Sequence, residues 1–249
     1  MGMTRMYVLF LFICVNTLVA AQSVQKKEAQ IKEAYSKEKN LSKKFNYQLD
    51  LGKYYQNTNI RKADSIKDEL INSSIVLNDS IRLAALIFKA EIESMTGDRN
   101  AYFATVLGCQ PFLNRVSDEA IQLEIYKHLG NYHLLNKEPE TADFYLKRML
   151  KAAKVLHSKQ DFARAHLLLS RNFMMSNLKD SALNHIDVAL QYARRTSNKA
   201  ILAECFHQQA STYKTFGQLE LGVAKDILAL QIANEIRNYH QIAVFSIEI

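Results

Sequence analysis

Histidine is the residue type best suited to acid–base or metal chemistry near neutral pH, and this chain has seven histidines. His128 and His133 are five residues apart, so they do not share a helix face as two metal ligands four residues apart would. His166 and His207 fall in equivalent parts of two successive stretches of similar sequence, and they could be neighbours across a helical hairpin. Packing or a surface hydrogen bond is the expected role of these side chains. Metal binding or acid–base catalysis is the alternative.

No motif that carries catalysis is present in the sequence. It has no G-x-S-x-G, no H-E-x-x-H, no C-x-x-C and no glycine-rich phosphate loop. We therefore predict no catalytic residue, no resident metal and no cofactor, and a protein that acts by binding. A hydrolase without a recognisable motif is the competing class.

Two cysteines, Cys109 and Cys205, lie beyond the N-terminal segment, and more than two repeats of the sequence pattern separate them. In a stack of helices that are about 8–10 Å apart, this separation exceeds the ~7 Å between Cα atoms that a disulfide can bridge. We expect buried thiols that act as small apolar side chains and are not joined to each other.

Residues 1–21 have the pattern of a secretory signal. Arg5 supplies a positive charge, Met6–Ala21 is mainly apolar, and the small residues of Val19–Ala21 suit a signal peptidase that cuts before Gln22. An uncleaved anchor is the alternative, but this apolar segment falls short of the ~20 residues that cross a bilayer. A lipoprotein is disfavoured because large residues precede Cys14. The predicted location is the periplasm or the cell surface.

Charge and composition limit the fold and the partners. The net charge of +7 is modest, and bases alternate with acids along segment 22–41, which predicts a charged lead-in helix over 23–40. We expect no nucleic-acid partner. The chain has only two prolines and seven glycines in 249 residues, and its sequence lacks the alternation of apolar and polar residues that is typical of strands. These features predict an all-α fold.

A period of about 40 residues runs through the chain, as expected of a repeat architecture. Gly97, Lys137, Asn177 and Gly217 each end an apolar-patterned stretch, and small or apolar residues recur at fixed distances after them. One such column comprises Val106, Leu146, Ile186 and Asp226. Its residues are apolar except for Asp226.

The third copy carries a family resemblance. Tyr126, Leu129-Gly130, Tyr132 and Ala142 resemble the tetratricopeptide pattern, in which small residues let the two helices of a hairpin approach closely. The usual tetratricopeptide period is about 34 residues, and the additional residues here lengthen the second helix. HEAT repeats have a period similar to this one but lack the aromatic and Leu-Gly column. The resemblance implies an α–α superhelix over 42–249, with about five hairpins and the start of a sixth.

Apolar periodicity predicts the individual helices. Pro139 belongs to the first turn of its helix, whereas Pro111 should kink or shorten the second helix of copy two. The predicted pairs are 42–57 and 60–76, 80–96 and 99–114, 118–136 and 139–157, 160–176 and 179–196, and 199–216 and 219–237.

In tetratricopeptide proteins the first helices line a concave groove, so the resemblance implies a peptide or protein ligand there. A groove lined by both basic and apolar side chains would suit a peptide that presents a carboxylate beside apolar side chains. A polar groove wall without a dedicated ligand is the alternative. The candidate binding residues are Lys127, Asn131, Arg164, Arg171, Met174, Glu204, His207, Ser211 and Lys214, with Leu134, Leu135, Leu167 and Met175 beside them. Lys127 and Asn131 also match two of the five positions of the carboxylate clamp, and Leu168, Glu204 and Gln208 depart from it.

The predicted function is that of an exported protein-interaction scaffold. Long-period repeats of this kind resemble the exported sensor region of membrane-bound bacterial signalling or transcriptional regulators, and a free-standing periplasmic scaffold for envelope assembly is the alternative. The apolar segment 242–249 has the pattern of a sixth first helix. We therefore expect a longer parent chain with a membrane association, or self-association through this end.

Overall fold

A computed structural model describes residues 26–247, and all the regular structure in that range is helical. The helices begin and end within a few residues of the predicted positions, which confirms the all-α fold class. They are α1 (26–37), α2 (Leu41–Thr58), α3 (Ile60–Ser74), α4 (Asp79–Thr96), α5 (Arg99–Cys109), α6 (Glu119–Leu135), α7 (Pro139–Val155), α8 (Lys159–Met175), α9 (Lys179–Ala193), α10 (Lys199–Thr215), α11 (Leu219–Glu235) and α12 (Tyr239–Ile247).

The repeat period marks the turn inside the four hairpins that follow α2–α3. Gly97, Lys137, Asn177 and Gly217 all have a positive φ, between 59° and 80°, and each is the C-cap of a first helix or directly follows that cap. The backbone N–H of the next residue then donates a hydrogen bond to a carbonyl five residues earlier; for example, Glu138 N lies 2.9 Å from His133 O. This left-handed turn closes the last helical turn and reverses the chain.

A second series with the same spacing begins the first helices. Asn78, Asp118, Ser158 and Asn198 are the N-cap residues of α4, α6, α8 and α10, and each side chain accepts a hydrogen bond from a backbone N–H of the first turn. Such caps satisfy amide groups that the helix leaves without a partner. The turn residues and these caps therefore define both ends of a first helix.

Small residues set the distance between the two helices of a hairpin. A Cβ atom on Gly130 would lie 2.4 Å from Leu146 Cδ2 on the other helix of its hairpin. A Cβ atom on Gly52 would lie 3.3 Å from Ile66 Cγ2 on the hairpin partner α3, and 2.7 Å from the ring of Phe88 on the next first helix, α4. Ala142, on the helix that faces Gly130, is fully buried. The close approach that the repeat pattern predicts is thus present, and it requires the absence of a side chain.

The described residues form two compact units, one up to Thr105 and the other from Val106. In the first unit α2, α3 and α4 pack around a core that includes Phe45, Leu70 and Phe88. The lead-in helix α1 contacts this unit, because the Tyr55 hydroxyl donates to Glu28 Oε1 at 2.5 Å.

In the second unit three hairpins, α6–α7, α8–α9 and α10–α11, follow one another, and α12 packs against α11. The core is a series of neighbouring clusters, each shared by adjacent helices, as expected for a repeat protein. Phe245 of α12 is buried against Ala203, Ala229 and Ala233. The predicted start of a sixth first helix is thus a helix that covers the fifth hairpin.

Copy two departs from the repeat at Pro111. Helix α5 ends at Cys109, a 3₁₀ turn follows over Gln110–Phe112, and regular structure resumes only at Glu119. The predicted shortening of this helix is confirmed, and its predicted continuation to residue 114 is wrong. Proline lacks the N–H that a helix interior needs.

Cys109 and Cys205 are both buried, and they are not bonded to each other. The predicted signal segment, residues 1–21, lies outside the described residues. None of the helices within 26–247 combines the length and the apolar composition that a membrane-spanning helix requires.

Candidate functional site

Helices α6, α8 and α10 lie side by side in the second unit, and we call the surface that they form the first-helix face. All nine candidate binding residues lie on these three helices. The contacts of each residue decide which of them are available to a ligand.

Two of the candidate cations are paired with acids on their own helix. Lys127 forms an ion pair with Glu124, and Arg164 lies 3.7 Å from Asp161. Both cations are only partly exposed, and both partners lie one helical turn earlier. The basic cluster expected from Lys127, Arg164 and Arg171 is therefore partly neutralised.

Arg171 is an exposed cation of the first-helix face, and Met174, which is half-buried, lies one turn further along α8. Within residues 26–247 no acid pairs with the Arg171 guanidinium. The sulfur of Met174 lies 3.7 Å from Thr212 Oγ1 and 3.6 Å from Thr215 Oγ1 on the neighbouring helix α10. Arg171 and the α8–α10 junction thus lie within one helical turn of each other.

His207 and Lys214 instead bind a buried carboxylate of their own hairpin. His207 Nδ1 lies 2.8 Å from Asp226 Oδ1, and Lys214 Nζ donates to Asp226 Oδ2 at 2.5 Å. Asp226 has no exposed surface, whereas the two basic side chains are about one fifth exposed. These two candidates therefore serve the packing of α10 on α11.

The sequence carries the signal for this network. Asp226 occupies the column that Leu146 and Ile186 fill in the preceding hairpins, so it is an acid where the fold needs a buried residue. Gly222 completes the arrangement, because a Cβ atom there would lie 2.5 Å from Lys214 Cγ. The glycine makes room for the lysine stem to reach the carboxylate.

Glu204 contacts α12 rather than a solvent-filled groove. Its Oε1 accepts a hydrogen bond from Gln241 Nε2 at 3.2 Å, and the same amide donates to the Ala200 carbonyl at 3.0 Å. The remaining candidates, Asn131 and Ser211, are half-buried on α6 and α10.

A cavity of about 310 Å³ lies where the α6–α7 turn meets α8. Leu134 and Met175, both predicted on the groove, line it together with Pro139 and Asn172. Asn172 is buried, and its Nδ2 donates to the Pro139 carbonyl at 2.9 Å. Sequence reasoning missed Asn172, although its place beside Arg171 on a first helix was a usable signal.

The histidines pair within hairpins and not across them. His166 Nδ1 lies 3.0 Å from His185 Nδ1, and Tyr126 and Tyr145 occupy the equivalent positions one hairpin earlier. Burial lowers the pKa of His166 to about 4, and the charges of His185 and Lys154 act in the same direction. The hydrogen-bonding contacts found for His166 and His207 are each with a residue of the second helix in their own hairpin.

No protein-family model and no curated protein sequence matches this chain. Solved structures of similar fold do exist. BtubC from P. vanneervenii aligns with 88% of this chain and 91% of its own, at 17% identity and a TM-score of 0.63. A Rap protein complexed with competence and sporulation factor gives a TM-score of 0.71 at 14% identity, over 88% of this chain and 63% of its own.

NprR in complex with its cognate peptide NprX gives a TM-score of 0.63 at 14% identity, over 94% of this chain and 71% of its own. This chain therefore spans less than two thirds of the Rap protein and somewhat more of NprR. The fold is tetratricopeptide-like, which confirms the predicted class of all-α helical repeats.

Proposed function

We propose that the protein binds an extended peptide or protein segment on the first-helix face of the second unit. The observation that carries this proposal is the combination of an exposed Arg171, with which no acid of the described residues pairs, and the cavity lined by Met175, one helical turn further along α8. Leu134, Pro139 and Met175 give this cavity its apolar lining, and the acid in the lining, Glu138, is paired with His133. A guanidinium binds carboxylates in a fixed fork geometry, and methionine adapts to apolar side chains of different shape. The peptide held by NprR supports this class of ligand.

The preferred segment should present a carboxylate one or two residues from an apolar side chain. Arg171 would bind the carboxylate, and the 310 Å³ cavity has room for one apolar side chain. Of the predicted cations, Lys127, Arg164 and Lys214 already have acidic partners. Specificity should therefore depend mainly on Arg171.

A phage library of random dodecamer peptides, selected on the purified protein, tests the proposal. Selected peptides should be enriched in Asp or Glu beside Leu, Ile or Phe. Arg171→Glu should weaken their binding by about 1–3 kcal/mol, the range for a charge-assisted hydrogen bond. The matched control is Arg194→Glu, an equally exposed change at the end of a second helix. Equal losses in both variants would reject the first-helix face as the site.

We further propose that the protein works outside the cytoplasm, as the ligand-sensing part of a membrane-bound regulator. The leader-like pattern of residues 1–21 and the long repeat period support this role. A free-standing periplasmic scaffold is the second candidate. Fractionation, with mass spectrometry of the N-terminus, tests export: an N-terminus at Gln22 supports it, and intact Met1 in the cytosol contradicts it.

A binding role also accounts better than catalysis for the polar groups of the second unit. The Asp–His pairing of Asp226 and His207 resembles part of a hydrolase site, but Lys214 takes the second carboxylate oxygen. The ring of Phe245 also lies over the imidazole, with ring centroids 4.5 Å apart. Turnover of ester or peptide substrates that is abolished by His207→Gln would favour the enzyme class instead.

A further inference from the structure

A cavity of about 510 Å³ lies beside the interruption in the repeat, between segment 113–117, the start of α6 and the end of α7. In the later hairpins the second helix is 15 to 17 residues long, whereas α5 has 11 residues. Pro111 ends regular helix early, and an irregular segment then leads to α6. The volume is within the range of ~300–1,000 Å³ typical of small-molecule sites.

The irregular segment is held in place at two points. The carbonyl of Val116 accepts a hydrogen bond from Gln122 Nε2 at 2.5 Å, and Val116 is only 3% exposed. Leu113 packs against the core cluster that contains Leu123 and Met149. The wall of the cavity is therefore fixed to α6 and to the core before any ligand arrives.

Three cations from two separate parts of the chain line this cavity. Arg115 comes from the irregular segment, while Arg148 and Lys151 lie one turn apart on the same face of α7. The guanidinium of Arg148 lies over the Phe144 ring at 4.3 Å, which restrains its direction. The one acid in the lining is Glu119.

The two cations on α7, Arg148 and Lys151, differ from Lys127 and Arg164 of the first-helix face, which are paired with acids. Over the described range 26–247, neither Arg148 nor Lys151 has a carboxylate within ion-pair distance. The neighbouring Lys147, by contrast, is paired with Asp143 at 2.7 Å. Like charges that converge on a cavity raise its positive potential and favour an anion there.

We propose that this cavity binds a small molecule that carries a phosphate or several carboxylate groups. The two guanidinium groups supply planar pairs of donors that match such anions, and Lys151 adds a point charge. The ring of Tyr126 and the methyl group of Ala152 offer an apolar surface to the rest of the ligand. This cavity shares no lining residue with the cavity beside Met175, and Arg171 does not line it.

Isothermal titration of the purified protein with pyrophosphate and with citrate tests the proposal and distinguishes the two chemistries. Saturable binding of one compound at millimolar concentration or below, with one site per chain, is the expected result. Arg148→Gln and Lys151→Gln should each weaken that binding about tenfold or more, as expected when a charge-assisted hydrogen bond is lost. Circular dichroism should show unchanged helicity, because both side chains are exposed.

Lys147→Gln is the matched control, because it removes the same charge from the adjacent residue and should leave binding within about twofold. Arg171→Glu should also leave it unchanged, so that failure of the peptide proposal and failure of this one are distinguishable. Absence of saturable binding by both compounds would overturn the proposal. So would an equal loss in the Lys147→Gln variant, which would reduce the effect to overall charge.

Discussion

Lys214→Met should destabilise the α10–α11 hairpin by about 3–5 kcal/mol, the cost of leaving one member of a buried ion pair without its partner. Asp226 has no exposed surface, and its two oxygens are bound by Lys214 and His207. Methionine retains the stem that lies against Gly222 but leaves Asp226 Oδ2 without a donor. The carboxylate would then be buried with only His207 to balance it.

The magnitude follows from two opposing contributions. At 2.5 Å, two unit charges attract by about 7 kcal/mol with an effective dielectric constant of about 20. Desolvation of the two ions costs several kcal/mol each, so the net value of the pair is small. Loss of the lysine removes this attraction, whereas the carboxylate of Asp226 stays buried. Its desolvation free energy is then no longer offset, and it lowers the free energy of unfolding. Because Lys214 is 20% exposed, its ammonium can reach water when Asp226 is removed instead.

The double variant Lys214→Met/Asp226→Leu therefore provides the decisive comparison. It places in the fifth hairpin the apolar residue that Leu146 provides in the third, and we expect a stability equal to the wild type or up to about 4 kcal/mol higher. Lys225→Met is the matched control. Lys225 lies on α11 with its ammonium 5.8 Å from the Phe206 ring, and its loss should cost less than about 1 kcal/mol.

Urea unfolding followed by circular dichroism at the helical band measures these differences, since the chain has no tryptophan to report on unfolding. The reasoning would be refuted by a Lys214→Met variant whose stability lies within about 1 kcal/mol of the wild type. It would also fail if the double variant were no more stable than Lys214→Met alone, because the buried carboxylate would then not be the source of the loss.

Four further outcomes follow from the structure. Gly130→Ala should cost about 1–3 kcal/mol in urea unfolding, because its Cβ would overlap the fully buried Leu146, and a wild-type midpoint would contradict this. Gly217→Ala should cost about 1–2 kcal/mol through its φ of +79° alone, since a Cβ there meets open space; an unchanged stability would show that the turn tolerates alanine. For His166, the unfolded chain binds a proton below pH 6.5 that the native state does not bind until about pH 4, so the free energy of unfolding should fall as pH falls through this window, by up to about 3 kcal/mol. His166→Phe should lessen that slope, and an identical pH profile would exclude the histidine as its source. Burial raises the pKa of Cys205 to about 12, so this thiol should resist alkylation at mildly alkaline pH in the native protein and react in urea; rapid native labelling would contradict its burial.

Much of the fold was accessible from sequence, because the repeat is maintained by local chemistry. The turn residues Gly97, Lys137, Asn177 and Gly217 recur every 40 residues, and each adopts the left-handed conformation that ends a first helix. The polar caps recur with the same spacing and were overlooked, although they needed only the sequence. Local preference sufficed here, since a turn or a cap involves residues within five positions of each other.

The candidate site was harder to predict from the sequence than the fold, because the contacts of a side chain on a helix depend on the helices packed against it. Periodicity placed His207 and Lys214 on the same face as Arg171. Their actual contact is Asp226, 19 and 12 residues further along the chain, and only the packing of α11 on α10 brings that carboxylate between them. A buried charge must be paired, and spacing along one helix does not say which cation will pair with it.

Sequence by itself thus determined the helices, their hairpin pairing and the small residues that permit it, since these follow from a repeating local pattern. Tertiary structure decided which polar residues remain available to a ligand. Lys127 is neutralised by an acid on its own helix, and Arg171 remains exposed. Tertiary structure also places a cavity beside the break at Pro111, with Arg148 in its lining. Sequence cannot predict such a cavity, because the elements that line it are distant along the chain and share no sequence pattern.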